Sequence, residues 1–290
     1  MSYRGRFAPS ATGPLHLGSI FAALISFLDA RFHQGTWLVR IDDLDTFRCK
    51  PEFADSILET LNAFALIPDQ APVFQSTRID AYHEALHTCI AQQRIYSCTC
   101  RRNDLPRGPY PGYCRNRLGQ TLLPDTALRI DTQGLATGYT DHYLGTVEPE
   151  HPGDFIIKRR DGLIAYQLAS AVDESLDQIT HVIRGLDLLN STTMQQWVRT
   201  CLDQPPIMYG HFPTIHGADG SKLSKQTCAD AVDPHCPGAT YSVIAQLLGC
   251  NQYPAPDAPA DAWIHYFQTL GDPRQFVPKT PHLLADAQAE

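Results

Sequence analysis

Arg6-Phe7-Ala8-Pro9-Ser10-Ala11-Thr12-Gly13-Pro14-Leu15-His16-Leu17-Gly18-Ser19 reads as a strand end, a tight loop and a helix start. Residues 3–8 form a short β-like run. Residues 18–34 carry Leu24, Phe27, Leu28 and Phe32 near a 3.6-residue period, which predicts a helix. Pro9, Gly13 and Pro14 punctuate the connection. Gly13 and Gly18 lack a Cβ, so a ligand can approach the backbone closely. The helix N-terminus offers free N–H groups and a partial positive charge, which suits phosphate, and His16 adds a donor there. Alone, the stretch could be an ordinary βα turn whose histidine caps a helix. Far downstream, Lys222-Leu223-Ser224-Lys225-Gln226 sits in a loop between a strand candidate at 211–215 and a helical run after Thr240. His216, Gly217, Asp219 and Gly220 make the turn before it. Lys222 and Lys225 are either solvated surface charges or a clamp on a triphosphate as charge develops during displacement.

The order strand–helix–strand–helix over residues 3–64 argues for a parallel sheet, with 36–41 as its second strand. A helix is expected over 79–93, with Ser76 or Thr77 as its N-cap. Residues from about 96 to 150 are rich in Pro, Gly, Arg and Cys and break this rhythm. They read as an insertion between two halves of the sheet domain. A hairpin is expected from 154–159 to 163–169, then a strand over 180–184 and a helix over 191–202. One helical piece is expected in the tail, at 260–270. The chain has 290 residues, enough for a substantial core. Its net charge of −8 restricts any nucleic-acid contact to a local basic patch. Arg101, Arg102, Arg107, Arg115 and Arg117 are such a cluster, equally readable as a solvated face. No apolar run approaches the roughly 18 residues of a membrane span, and no signal peptide is expected ahead of the loop. Nine scattered cysteines then read as reduced thiols in a cytoplasmic protein.

One group of cysteines stands apart. Cys98-Thr99-Cys100 is followed by Tyr110 and Cys114. Thiolates at this spacing can converge on one tetrahedral ion such as zinc. With no His in the segment, Tyr110, Tyr113 or a water could supply a fourth ligand. The plain alternative is three unrelated thiols beside a turn. A bound ion would be structural, holding an insertion with little core of its own.

These residues converge. The stretches 6–19 and 222–226 resemble the paired ATP signatures of class I aminoacyl-tRNA synthetases. With Val39-Arg40-Ile41-Asp42-Asp43-Leu44-Asp45, Tyr166-Gln167-Leu168-Ala169 and His181-Val182-Ile183-Arg184-Gly185-Leu186-Asp187, they resemble in order the catalytic half of the glutamyl-tRNA synthetases. The resemblance covers residues 4 to 250. It implies an α/β fold with a Rossmann-like parallel sheet, a zinc-containing insertion and a short helical C-terminal part. The expected units are 1–95 and 151–210 as the halves of the catalytic domain, 96–150 as the insertion, and 211–290 as the second ATP motif with the helical end.

Only about forty residues follow position 250, where a glutamyl-tRNA synthetase continues into a large anticodon-binding domain. A short form with this cysteine pattern resembles the glutamyl-queuosine tRNA(Asp) synthetases. That resemblance implies ATP with Mg²⁺, L-glutamate and queuosine-bearing tRNA(Asp) as partners, with no membrane and a monomer favoured. It makes Cys98, Cys100, Tyr110 and Cys114 the zinc ligands. Arg6 and Arg184 would hold the glutamate side-chain carboxylate with the Tyr166 hydroxyl. Bidentate Arg–carboxylate pairing makes that assignment chemically sensible. Ser10 and Asp42 would receive the α-amino group. Gly13, His16, Gly18, Lys222 and Lys225 would bind ATP, with His16 and Lys225 catalytic.

Some positions depart from the family pattern. Asp42 replaces the usual Glu, Ala11 a Pro, and Ser19 the final His of the general signature; the second motif carries Leu223 and Gln226. The alternatives are a short synthetase charging tRNA(Glu) at its 3′ end, a non-catalytic RNA-binding paralogue, and a class I-like nucleotidyltransferase.

Overall fold

The computed structural model describes residues 2–217, 230–280 and 282–284. The chain runs β1 (Arg4–Phe7), α1 (Leu17–Phe32), β2 (Thr36–Ile41), α2 (Pro51–Ala63), β3 (Val73–Phe74), α3 (Ile79–Ala91) and β4 (Ile95–Cys98). It continues through β5 (Ala127–Ile130), β6 (Tyr139–Asp141), β7 (Gly145–Val147), β8 (Ile156–Lys158), α4 (Tyr166–Leu176), β9 (His181–Gly185) and α5 (Leu189–Cys201). β10 (Met208–Phe212), β11 (Thr214–His216), α6 (Pro237–Leu247), α7 (Ala260–Thr269), α8 (Pro273–Phe276) and β12 (His282–Leu284) complete it.

The expected parallel sheet forms. β1 pairs in parallel with β2, and β2 with β3. β9 pairs in parallel with β10. The two groups meet edge to edge: the Thr180 N–H donates to the Arg4 carbonyl at 3.0 Å, and the Arg4 N–H to Thr180 Oγ1 at 2.8 Å. β1 therefore has β2 on one side and β9 on the other. Where connections leave a parallel sheet in opposite directions, a crevice opens beyond the strands' C-terminal ends. Helix α1 starts at that point.

Helix α1 packs on β1, β2 and β9 and also meets α7 and α8. Ile20, Phe21, Leu24, Phe27 and Leu28 are buried, and each such apolar side chain contributes roughly 1.5–3 kcal/mol. They join Trp37, Phe64, Tyr241, Trp263 and Phe267 in the main core. Phe32, expected on the same face, is exposed at the helix's last residue. A second core unites α3, α4 and α5 with the antiparallel sheet β4–β5–β8.

Four local expectations are corrected. Residues 163–169 do not form a hairpin strand: one bridge, Lys158 to Ile164, precedes α4. Leu168, Ala169, Ala171 and Val172 are buried together, a helical spacing that the Tyr166–Ala169 alternation hides. Neither Ser76 nor Thr77 caps α3. The Ser76 hydroxyl donates to Asp43, that of Thr77 to the Phe74 carbonyl, and a 3-10 turn at Gln75–Arg78 leads into the helix. The strand expected over 211–215 is two strands, because Pro213 cannot continue a ladder. The helix expected after Thr240 begins at Pro237, a favoured residue in the first turn. Among the described residues, no helix is long and apolar enough to cross a membrane.

Candidate active site

A cavity of about 610 Å³ is lined by Arg6 from β1, Ser10, His16 and Gly18 from the following loop and helix start, Tyr166 from α4, and Arg184 from β9. His16 is the N-cap of α1, and its Nδ1 accepts the Gly18 N–H at 3.1 Å. The ring thus satisfies one of the open donors at a helix start while sitting at its positive end. Thr214 and Ile215 also line the cavity. Further on, the Val232 N–H donates to the Leu15 carbonyl at 3.0 Å and Ala231 bridges to His16. Both flanks of residues 218–229 are therefore anchored at this cavity. Lys222 and Lys225, assigned to ATP from the sequence, lie outside the described residues.

The buried arginines have distinct partners. Arg6 donates from Nε and Nη2 to Glu174 Oε1, at 3.1 and 3.0 Å. Arg184 donates to His211 Nε2 at 3.3 Å, Gln195 Oε1 at 2.8 Å, Thr192 Oγ1 at 2.7 Å and the Leu188 carbonyl at 3.2 Å. Arg40 holds Asp42 Oδ1 at 2.7 Å and lies 3.5 Å from Asp173. The Asp42 carboxylate is thus engaged by Arg40. Burial pushes its pKa up, with Arg40 opposing. Asp42 lines a neighbouring cavity of about 290 Å³ that shares Ser10, Thr12, Arg48 and Tyr166 with the first. Gly13 lines neither cavity.

The sequence-derived set is therefore divided: Arg6, Ser10, His16, Gly18, Tyr166 and Arg184 share one cavity, and Asp42 faces the next. Sequence reading missed Glu174, 168 positions from Arg6, and His211, Gln195 and Thr192, which hold Arg184 from β10 and from the helix that follows β9. A buried arginine in a strand demands acceptors, but sequence does not say which.

The cysteine group also assembles. Cys98, Cys100 and Cys114 have all three sulfurs within 4.8 Å of one another, and Cys100 and Cys114 are 3.6 Å apart. The Tyr110 hydroxyl lies 3.6 Å from Cys98 Sγ and 3.5 Å from Cys100 Sγ, and accepts the Cys114 N–H at 3.0 Å. Tyr113, the other phenol considered, is exposed. Ligands about 2.3 Å from a tetrahedral ion lie roughly 3.7 Å apart, so the group has the size and donor set for zinc. Burial opposes ionisation of Cys114, but hydrogen bonding with Tyr110, Thr99 and Cys100 outweighs it and brings this thiol down to about 6. Of the basic cluster, Arg101, Arg102 and Arg107 are exposed. Arg115 is committed to Asp154 at 2.7 Å, and Arg117 to Thr99 at 3.1 Å.

Residues 2–108 and 126–236 match the family described as tRNA synthetases class I (E and Q), catalytic domain. A glutamyl-Q tRNA(Asp) synthetase of Methylococcus capsulatus is 44% identical over 252 residues, covering 85% of this chain and 83% of the relative. Its counterpart from Burkholderia cenocepacia is 43% identical over 277 residues, covering 90% and 93%. In fold, the chain is similar to a glutamate tRNA ligase of Elizabethkingia meningosepticum crystallised with its amino acid. The TM-score is 0.77 at 24% identity, over 99% of this chain and 68% of that one.

Proposed function

The chain belongs to the class I tRNA synthetases of the E and Q type, a family of ligases, and we propose that it activates L-glutamate with ATP and transfers it to queuosine in the anticodon of tRNA(Asp). The observation that carries this reading is the single cavity lined by Arg6 and Arg184 at the N-terminus of α1. Two guanidiniums suit the side-chain carboxylate of an acidic amino acid, and a helix N-terminus suits phosphate.

In the first step a glutamate α-carboxylate oxygen attacks the α-phosphorus of ATP, which enters with its Mg²⁺ as substrate. The bond to the bridging oxygen breaks, pyrophosphate leaves and a mixed anhydride forms. Arg6, Arg184 and Tyr166 hold the side chain, while Ser10 and Asp42 receive the α-amino group. Gly18 at the start of α1 admits the phosphates, and His16, Lys222 and Lys225 offset their growing charge. No side-chain nucleophile is needed, since positioning and electrostatics supply the catalysis. In the second step a hydroxyl of the queuosine cyclopentenediol attacks the anhydride, an ester forms and AMP leaves. Cys98, Cys100, Tyr110 and Cys114 would hold a zinc ion that cross-links the 96–150 insertion and takes no part in the chemistry.

Glutamate-dependent ATP–pyrophosphate exchange tests the first step. Transfer of labelled glutamate to tRNA(Asp), with and without queuosine, tests the second. Normal charging of tRNA(Glu) together with no charging of queuosine-bearing tRNA(Asp) would overturn the acceptor.

A further inference from the structure

The charge around each buried arginine differs. Arg6 faces Glu174, and Arg40 faces Asp42 and Asp173. Arg184 is just as buried, yet among the described residues its hydrogen-bond partners are all formally neutral: His211 Nε2, Gln195 Oε1, Thr192 Oγ1 and the Leu188 carbonyl. Asp141 stands one step behind, 2.6 Å from His211 Nδ1. It is itself fixed by the N–H groups of Tyr143, Leu144 and His211, at 2.9, 3.0 and 3.1 Å.

The protons follow from this geometry. The Arg184 Nε–H donates to His211 Nε2, so that nitrogen carries a lone pair. The proton of the ring is on Nδ1 and donates to Asp141, and the imidazole is neutral. Burial favours the same state, pulling the His211 pKa below its ordinary value while Asp141 opposes. His211 lies opposite Arg184 in the β9–β10 register and does not line the cavity. Among the described residues, four of the guanidinium's five N–H donors are used, and the fifth, on Nη1, is open to a ligand.

We propose that His211, held as the Nδ1–H tautomer by Asp141, is a positioning residue that presents Arg184 to the substrate without a carboxylate hydrogen-bonded to the guanidinium, Asp187 lying on the same cavity wall. A carboxylate in the place of His211 would orient the same guanidinium and neutralise it. The neutral ring orients without neutralising, so the site favours the anionic side chain of an acidic amino acid over its amide. The inference rests on the reading that Arg184 touches glutamate.

The test is amino-acid-dependent ATP–pyrophosphate exchange with glutamate and with glutamine, at saturating ATP. Arg184→Ala tests the underlying reading and is expected to raise KM for glutamate at least about tenfold. His211→Ala and Asp141→Asn are each expected to raise KM for glutamate about tenfold, with KM for ATP unchanged. His211→Gln, which keeps a neutral acceptor, is expected to stay within about threefold of the parent. The double change His211→Glu with Asp141→Asn is expected to erode the preference for glutamate over glutamine by about tenfold. If Arg184→Ala raises KM while His211→Ala and Asp141→Asn leave both KM and that preference unaltered, the role of His211 is overturned. An unaltered KM in Arg184→Ala would overturn the reading and the inference together.

Discussion

Arg40 and Asp42 show what a buried charge costs when its partner is removed. Both side chains are nearly inaccessible, and Asp173 and Ser170 complete the network. Asp42→Ala leaves the Arg40 guanidinium with one carboxylate instead of two. Breaking a buried pair costs about 3 kcal/mol or more, so the urea midpoint of the variant should fall accordingly, with an unchanged slope. Tyr166 lies at the opposite extreme, 37% exposed at the start of α4 and facing both cavities. Tyr166→Phe should leave stability alone and raise KM for glutamate by roughly two- to tenfold, the worth of one hydrogen bond. An unchanged KM would remove its hydroxyl from the site. At this scale the cavity-facing residues were legible, because Arg6, His16, Tyr166 and Arg184 stand in recognisable runs. Their supports were not. Glu174 is 168 positions from Arg6, and Asp141 is 70 from His211, so no local pattern links them.

The cysteine-bearing stretch after β4 is the part of the chain whose order depends most on a few contacts. Its small cluster of Tyr96, Cys98, Tyr110 and Cys114 is separate from both main cores. Asp154 fastens it to the sheet, accepting from Tyr96, Arg115 and Thr132 at 2.5 to 2.9 Å. Cys100→Ser should abolish stoichiometric zinc in the purified protein and open residues 99–126 to limited proteolysis, while the α1–β2 region stays protected. Retention of one zinc per chain by that variant would show that the cysteine group does not hold the ion. Elements with strong periodicity, such as α1, β2 and α7, were legible within a residue or two of their ends. Strand β6 was not: Tyr139–Asp141 lies in a Gly-rich stretch and owes its place to β10. Helix α4 was misread at its start because its first residues also alternate like a strand, and tertiary burial decides between the two periods.

The whole molecule is joined at the end of the sheet away from the cavity by a cluster that no motif announced. His181 at the start of β9 stacks on Tyr3 at 4.1 Å, and His33 after α1 stacks on Tyr3 at 5.0 Å and lies 6.2 Å from His181. His142, after β6, lies 5.8 Å from His181. Tyr3 and Tyr143 both donate to the fully buried Asp29 of α1. Arg274 and Asp272 pair beside them at α8. Five separate stretches of chain therefore meet around Asp29 and three histidines. Burial pulls His181 down to about 4, with His142 adding to the shift, and burial also lowers His142. A histidine with a depressed pKa in the fold is protonated more readily in the unfolded chain. Its contribution is present in full above about pH 6.5 and is lost as pH falls toward 4. With some solvent at His181, the loss between pH 7.5 and pH 5 should be roughly 1–2 kcal/mol. Urea unfolding at pH 7.5 and pH 5 measures it, above the range where Asp141, Asp154 and Asp272, all held low, begin to protonate. His181→Phe keeps a ring to stack on Tyr3 and removes the titration, so the difference between the two pH values should shrink by more than half. If the variant keeps the parent's full difference, the acid sensitivity lies elsewhere in the fold.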